Sequence, residues 1–287
     1  MNFGFGAWLF AISVGASALG GALGMASGIF IVPILIMFGG VGIHVAVAAS
    51  LVSVIACSCA SSAPFLRNGL TNIRVAIVLE TATTLGALTG VLLAGVLPVS
   101  LLFLLFAVVL LLSAQQMMAR RSEPEAALDE AGAKSWATAL RLHSSYPDRM
   151  LGREVPYLVR RVPLGLTLMY GAGLISALLG IGSGVLKIPA MDTALRLPIK
   201  VSSATSNFMI GVTAAASAAA YFARGDIDPT IAGPVALGSV VGAVLGARML
   251  MVVSGEKLRI VFVVVLVALA AQMLLSAFGV HLGGHAS

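Results

Sequence analysis

Residues 21–34 read GALGMASGIFIVPI, and residues 176–190 read SALLGIGSGVLKIPA. Each stretch lies in a long apolar run, and each crowds glycine, serine and proline into its middle. Inside a helix, glycine costs about 1 kcal/mol relative to alanine and proline about 3. Both clusters therefore mark a place where the chain leaves the helix and frees backbone N–H and C=O groups. In hydrocarbon those groups need a protein partner or a bound polar ligand.

The runs around the two breaks set the class. Of 287 residues, 59% are hydrophobic and only 10% charged, and the mean hydropathy is +1.06. A soluble domain of this size is not so apolar; the chain reads as an all-α polytopic membrane protein. Stretches long enough to cross about 30 Å of hydrocarbon fall at 5–37, 43–66, 75–95, 99–118, 164–191, 199–222, 230–252 and 258–278. The N-terminal MNFGFGAWLF lacks the basic region of a cleaved signal and reads as the first membrane segment. Cys57 and Cys59 point to different sides of one helix, which gives neither a disulfide framework nor a zinc site.

Between the apolar blocks, residues 120–161 hold eight Lys/Arg and six Asp/Glu, with Pro124, Pro147 and Pro156. This mixed stretch reads as a solvated connector, part of which Trp136, Leu140 and Tyr157 would lay on the membrane surface. No basic, aromatic-interleaved surface suggests nucleic acid. The expected division is a membrane repeat over 1–118, the connector over 119–162 and a second membrane repeat over 163–287.

The two membrane blocks agree without a gap at an offset of 156 residues. Gly24, Ser27, Gly28 and Pro33 fall on Gly180, Ser183, Gly184 and Pro189; Ser50 falls on Ser206 and Gly86 on Gly242. Chance matches of Ala, Val and Leu are cheap in this composition, but matches of Gly, Pro and Ser in one register are not. The chain reads as two homologous repeats of about four apolar segments, each with a broken first segment. Duplication with broken helices is the usual construction of secondary transporters.

Charge places constrain orientation. If four segments cross in each half, Arg67, Arg74, Arg120 and Arg121 share the side of the N-terminus, which the positive-inside rule makes cytoplasmic. Arg196, Lys200, Lys257 and Arg259 then fall on the opposite side. That pattern fits inverted halves, which need an odd number of crossings before the connector. A first segment that enters and turns back, or crosses twice, supplies it.

A helix that restarts after a break presents free N–H groups and its positive dipole end, an anion-binding device made from backbone. Gly24, Ser27 and Gly28 form one such mouth; Gly180, Gly182, Ser183 and Gly184 form the other. Together they would hold one small anion between them. Lys187 stands three residues past the second break, where the first repeat has Ile31. An ionised side chain inside a span is a functional candidate by default, against the alternative of a shallow lysine that snorkels. Lys187→Ala is then expected to weaken anion binding far more than folding.

Ser50, Ser206 and Asn207 stand near the breaks, as substrate contacts or as close-packing residues. Below them, Cys57 and Ser61 continue the stripe of Ser50, and Thr213 and Ser217 that of Ser206; packing is the favoured reading for this lower part. Glu80 is a coupling candidate for a proton, a partner for Arg67, Arg74 or Lys187, or a residue of the interface. The series Ala82, Gly86, Gly90 and Gly238, Gly242, Gly246 reads as close-packing helix faces, which also allow a homodimer.

LGMASGIFIVP and LGIGSGVLKIP, HVAVAASLVSV with KVSSATSNFMI, and the turns RNGLTN and RGDIDP resemble the TauE/SafE sulfite exporter family, also called the 4-toluene sulfonate uptake permeases. The resemblance covers roughly 5–118 and 163–278. It implies a permease of the bacterial-type cytoplasmic membrane for sulfite, sulfoacetate or a related anion, with no cofactor. Ala26 and Ser27 stand where that family commonly has glycines, and the connector is longer than its usual link. The expected function is export of such an anion by alternating access; an anion channel, or a permease for another small anion, is the alternative. No nucleotide-binding loop is present. The spans also lack the nucleophile–base or paired-carboxylate arrangement of an enzyme.

Overall fold

The computed structural model describes residues 3–22, 27–118, 136–148, 153–249 and 255–277. Gly24 and Ala26 lie outside the described residues.

The first apolar run is divided at its glycine-rich stretch into α1 (Phe3–Ala22) and α2 (Gly28–Gly39). Next come α3 (Ile43–Arg67), α4 (Ile73–Ala94) and α5 (Val99–Met118). The second half begins with α7 (Val162–Leu179) and the short α8 (Gly184–Ala190), which runs on as a π-helical turn, Met191–Leu195. It ends with α9 (Ile199–Ala223), α10 (Pro229–Met249) and α11 (Gly255–Ala277). Among the described residues, α3, α4 and α7 are long and apolar enough to cross a membrane.

Both broken runs fold back on themselves. Gly180 and Gly182 adopt φ of 65° and 67°, a conformation glycine takes without a Cβ penalty. Gly180 N–H closes α7 on the Ser176 carbonyl. The π-helical turn then returns to where α7 began: Arg160 N–H donates to the Leu195 carbonyl, and the Leu195 side chain covers Gly165. In the first half, Gly39 at the end of α2 lies against the Trp8 ring near the start of α1.

The connector departs from the all-α expectation. One turn of helix, α6 (Trp136–Ala139), precedes an antiparallel hairpin of β1 (Ser144–Asp148) and β2 (Arg153–Tyr157). Trp136 and Leu140 are exposed, but Tyr157 is buried against Tyr146 and belongs to the protein rather than the membrane surface. Val155 and Tyr157 share one side of β2, and that side packs on Val75, Leu79 and Leu195 of the membrane helices. Burial raises the Tyr157 phenol above its ordinary pKa, opposed by its bond from Asn72.

Helices of the two halves pair crosswise. Gly86 lies on the Tyr170 carbonyl and Gly90 on that of Leu174, so α4 and α7 run in the same direction at backbone contact. Gly238 and Gly242 rest likewise on Phe10 and Val14, which makes α1 and α10 parallel. Between α4 and α9, Asn72 meets Thr205, Glu80 meets Thr213 and Val91 meets Arg224. A constant separation of 133 residues across these pairs makes α4 and α9 parallel too.

Candidate functional site

The most costly group in the core is also the best satisfied. Lys187 on α8 is 0% exposed. Its Nζ donates to Glu80 Oε2 on α4 at 3.2 Å and to Thr213 Oγ1 on α9 at 2.5 Å. Thr213 Oγ1 in turn donates to Glu80 Oε1 at 2.5 Å. Desolvating two charges is repaid only when geometry is good and the remaining donors and acceptors are engaged; here both Glu80 oxygens and two of the three Nζ donors have partners. Lys187 therefore does not snorkel, and Glu80, 8% exposed, is no interfacial residue. Its partner is Lys187 rather than Arg67 or Arg74; Arg74 donates instead to the Arg141 carbonyl.

The two breaks touch. Gly28 packs against the Gly180 carbonyl and the Ser50 hydroxyl so closely that a Cβ has no room. Ser50 Oγ donates to that same carbonyl at 2.8 Å. An anion held between facing mouths at Gly28 and Gly180 has no gap in this conformation, because the absence of side chains lets the backbones meet. Of the first break, Ser27 is the described residue that precedes α2, and its hydroxyl has a partner. Ser27 Oγ lies 3.1 Å from Ser53 Oγ, and Ser53 bonds onward to Ser239 of α10.

The second break differs. Ser183 Oγ, Ser206 Oγ and Asn207 Nδ2 are buried without a hydrogen-bond partner among the described residues. Gly184 packs on Ile210 and Ser206 of α9, with Ser206 Oγ 3.7 Å from where its Cβ would be. The main-chain carbonyl of Asn207 accepts from Ser58 Oγ, and the atom of its side chain without a partner is the Nδ2 donor. Burying such groups unpaired costs on the order of 1–3 kcal/mol each, and natural cores keep few of them. Lys187 stands one helical turn from Ser183, its N–H bonded to the Ser183 carbonyl at 2.8 Å.

The spacing from Ser206 had marked Thr213, but as a packing residue; the structure bonds it to Lys187 and Glu80 instead. Ser53 and Ser239 were not singled out by the sequence; for Ser53 the available signal was its spacing of three from Ser50, on a shared helix face.

On its other side Glu80 lines an open apolar groove of about 610 Å³ between α4 and α9, walled by Ala76, Ile77, Thr84, Phe208, Met209 and Val212. Among the described residues no group of three or more His, Cys, Asp or Glu could hold a metal ion.

Over residues 9–273 the sequence matches the family described as "Sulfite exporter TauE/SafE". The chain belongs to that family. Among curated proteins it is 26% identical over 111 residues to the "Probable membrane transporter protein YunE" of Bacillus subtilis (strain 168). That match covers 39% of this chain and 41% of the relative, so the chain spans less than half the length of the curated relative it matches. No solved structure matches it. TauE/SafE proteins are multi-pass membrane transporters, and both breaks, Glu80, Lys187 and Thr213 fall inside the matched region.

Proposed function

We propose that this protein is a secondary transporter that carries a small sulfur-containing anion across the bacterial cytoplasmic membrane. Sulfite or an organosulfonate such as sulfoacetate is the expected cargo, exported by alternating access. The observation that carries the reading is at the second break: Ser183, one turn from the fully buried Lys187, and Ser206, which faces Gly184 from α9, keep buried hydroxyls without a hydrogen-bond partner among the described residues, as does Nδ2 of the next residue, Asn207. A tetrahedral or pyramidal oxyanion supplies the acceptors that the Ser and Asn donors lack and the charge that complements Lys187.

The architecture supports alternation between two inverted repeats spanning 1–118 and 163–287, joined by the connector of 119–162. α3 and α9 are both 25 residues long, with bounds 156 residues apart at each end. Crosswise pairing of α1 with α10 and of α4 with α7 is what a two-fold axis relating the halves would produce. Each half then consists of a hairpin, α1–α2 or α7–α8, followed by three crossings. An odd count puts the connector opposite the N-terminus and replaces the four-crossing count. Arg67, Arg74, the connector, Arg196, Lys200, Lys257 and Arg259 then share one face, which the positive-inside rule makes cytoplasmic. Arg224, bridged to Asp226 at 3.2 Å, stands on the other face.

Proteoliposomes loaded in turn with sulfite, sulfoacetate, taurine and sulfate test the proposal. Saturable flux of at least one of them is expected, lost in Ser206→Ala/Asn207→Leu. If folded wild-type protein moves none of the four, the anion reading fails. Flux that rises without saturation would instead identify a channel.

A further inference from the structure

Glu80 faces two environments. Its carboxylate holds Lys187 and Thr213 on the inner side, while the same residue lines the open groove between α4 and α9. The Glu80 side chain keeps 11% of its surface exposed, whereas that of Lys187 keeps none. Of the pair, Glu80 is thus the one with surface outside the buried triangle.

We propose that Glu80 is the proton-binding residue of transport and that its protonation releases Lys187 to the anion, so that one proton and one anion cross together. This rests on the anion site proposed above. The argument is one of charge in a medium of low dielectric, where an uncompensated ion is expensive. In the empty state the carboxylate of Glu80 neutralises Lys187. A monovalent anion entering at Ser183 would take the site to a net charge of −1. A proton taken from water onto a Glu80 oxygen restores neutrality: the carboxyl is uncharged and the ammonium now pairs with the anion. Empty and doubly loaded sites are both neutral and free to move; the site loaded with anion alone is not.

Among the described residues, few other groups bear on this titration. From α8 the only charge facing Glu80 is Lys187, and from α9 the neighbours are Thr213, Phe208 and Met209. α4 itself adds the Thr84 hydroxyl at 3.4 Å. Across α7 the titratable group is the Tyr170 phenol, which bonds to Thr89 instead. The exchange is reversible, so its direction follows the sum of the anion and proton gradients; net export needs an outward anion gradient larger than the inward proton gradient.

The test uses purified full-length protein in liposomes with an enclosed pH indicator and methanesulfonate, a monovalent sulfonate, as probe. Sulfonate charge is fixed over the working pH range, so any pH effect belongs to the protein. Methanesulfonate flux should acidify the receiving compartment one proton per anion and should not respond to a clamped membrane potential. Glu80→Gln, which keeps a hydrogen-bonding group on Thr213 and Lys187, should exchange anion for anion with no accompanying proton. Wild-type flux that carries current and no protons overturns the proposal without needing any variant to fold. So does Glu80→Gln that retains proton movement. If no anion crosses at all, it is the anion site of the preceding section that fails.

Discussion

Lys187 has Ile31 as its counterpart 156 residues earlier, Thr213 has Cys57, and Glu80 has Ala236. The triangle of charge and hydroxyl therefore occurs in one half and is replaced by apolar or weakly polar groups in the other; Ile31 and Cys57 are buried there. Removing one partner of a buried ion pair leaves a charge uncompensated and costs about 3–5 kcal/mol, whereas replacing both with apolar groups is close to neutral. Glu80→Leu and Lys187→Met should each lower thermal stability in detergent by that amount, and the double variant should recover most of it. Additive losses in the double variant would show that the two side chains do not depend on each other. By the same reasoning Lys187→Ala impairs folding as well as binding, against the expectation from sequence. A charge in an apolar run makes Lys187 legible at once. Its pairing with Glu80 was one of several left open, beside Arg67 and Arg74, since 107 residues separate the two and sequence cannot say which helices touch. Thr213 hid among hydroxyls that more often serve packing.

At the scale of elements, Asn72 does most to join the connector to the membrane helices. Its Oδ1 accepts from Val75 N–H and caps α4. Its Nδ2 donates to the Leu142 carbonyl at 3.0 Å and to Tyr157 Oη at 2.8 Å, and its own N–H donates to Thr205 of α9. Asn72→Ala should cost about 2 kcal/mol, roughly half from the lost cap and half from unpaired groups left buried. Tyr157→Phe, which removes one acceptor, should cost about 1 kcal/mol or less. Equal shifts in the melting temperatures of the two variants would contradict this division. The sequence announced the second break through its glycines, which act locally through φ at Gly180 and Gly182, whereas Pro33 and Pro189, counted with the breaks, lie inside α2 and α8. It did not announce the hairpin. Tyr146 and Tyr157 sit in strands of only five residues among Pro, Arg and Glu, and the surface they cover is supplied by Val75 and Leu195, distant in the chain.

For the whole molecule, inversion makes a prediction about sides. In a background with Cys57 and Cys59 replaced by alanine, Thr230→Cys before the body of α10 and Ser144→Cys in the hairpin are both at exposed positions. On intact cells an impermeant maleimide should label the first and not the second until the membrane is opened. Labelling of both, or of the hairpin alone, would remove the three-crossing arrangement. The proposed duplication rests on the constant 156-residue offset, since matched glycines and prolines need no knowledge of contacts. The pairing of helices between halves was not readable, because small residues four apart mark a packing face without naming what covers it. That pairing has a consequence for how the chain is made. α1 leaves the ribosome early, yet the helix that fits over its Phe10–Ser17 surface begins only at Pro229. Through most of synthesis lipid must occupy that place, and Ser13 and Ser17 wait at its edge. Biogenesis therefore ends with an exchange, in which α10 displaces lipid from the oldest helix, and a chain truncated before Pro229 leaves its first helix without its natural cover.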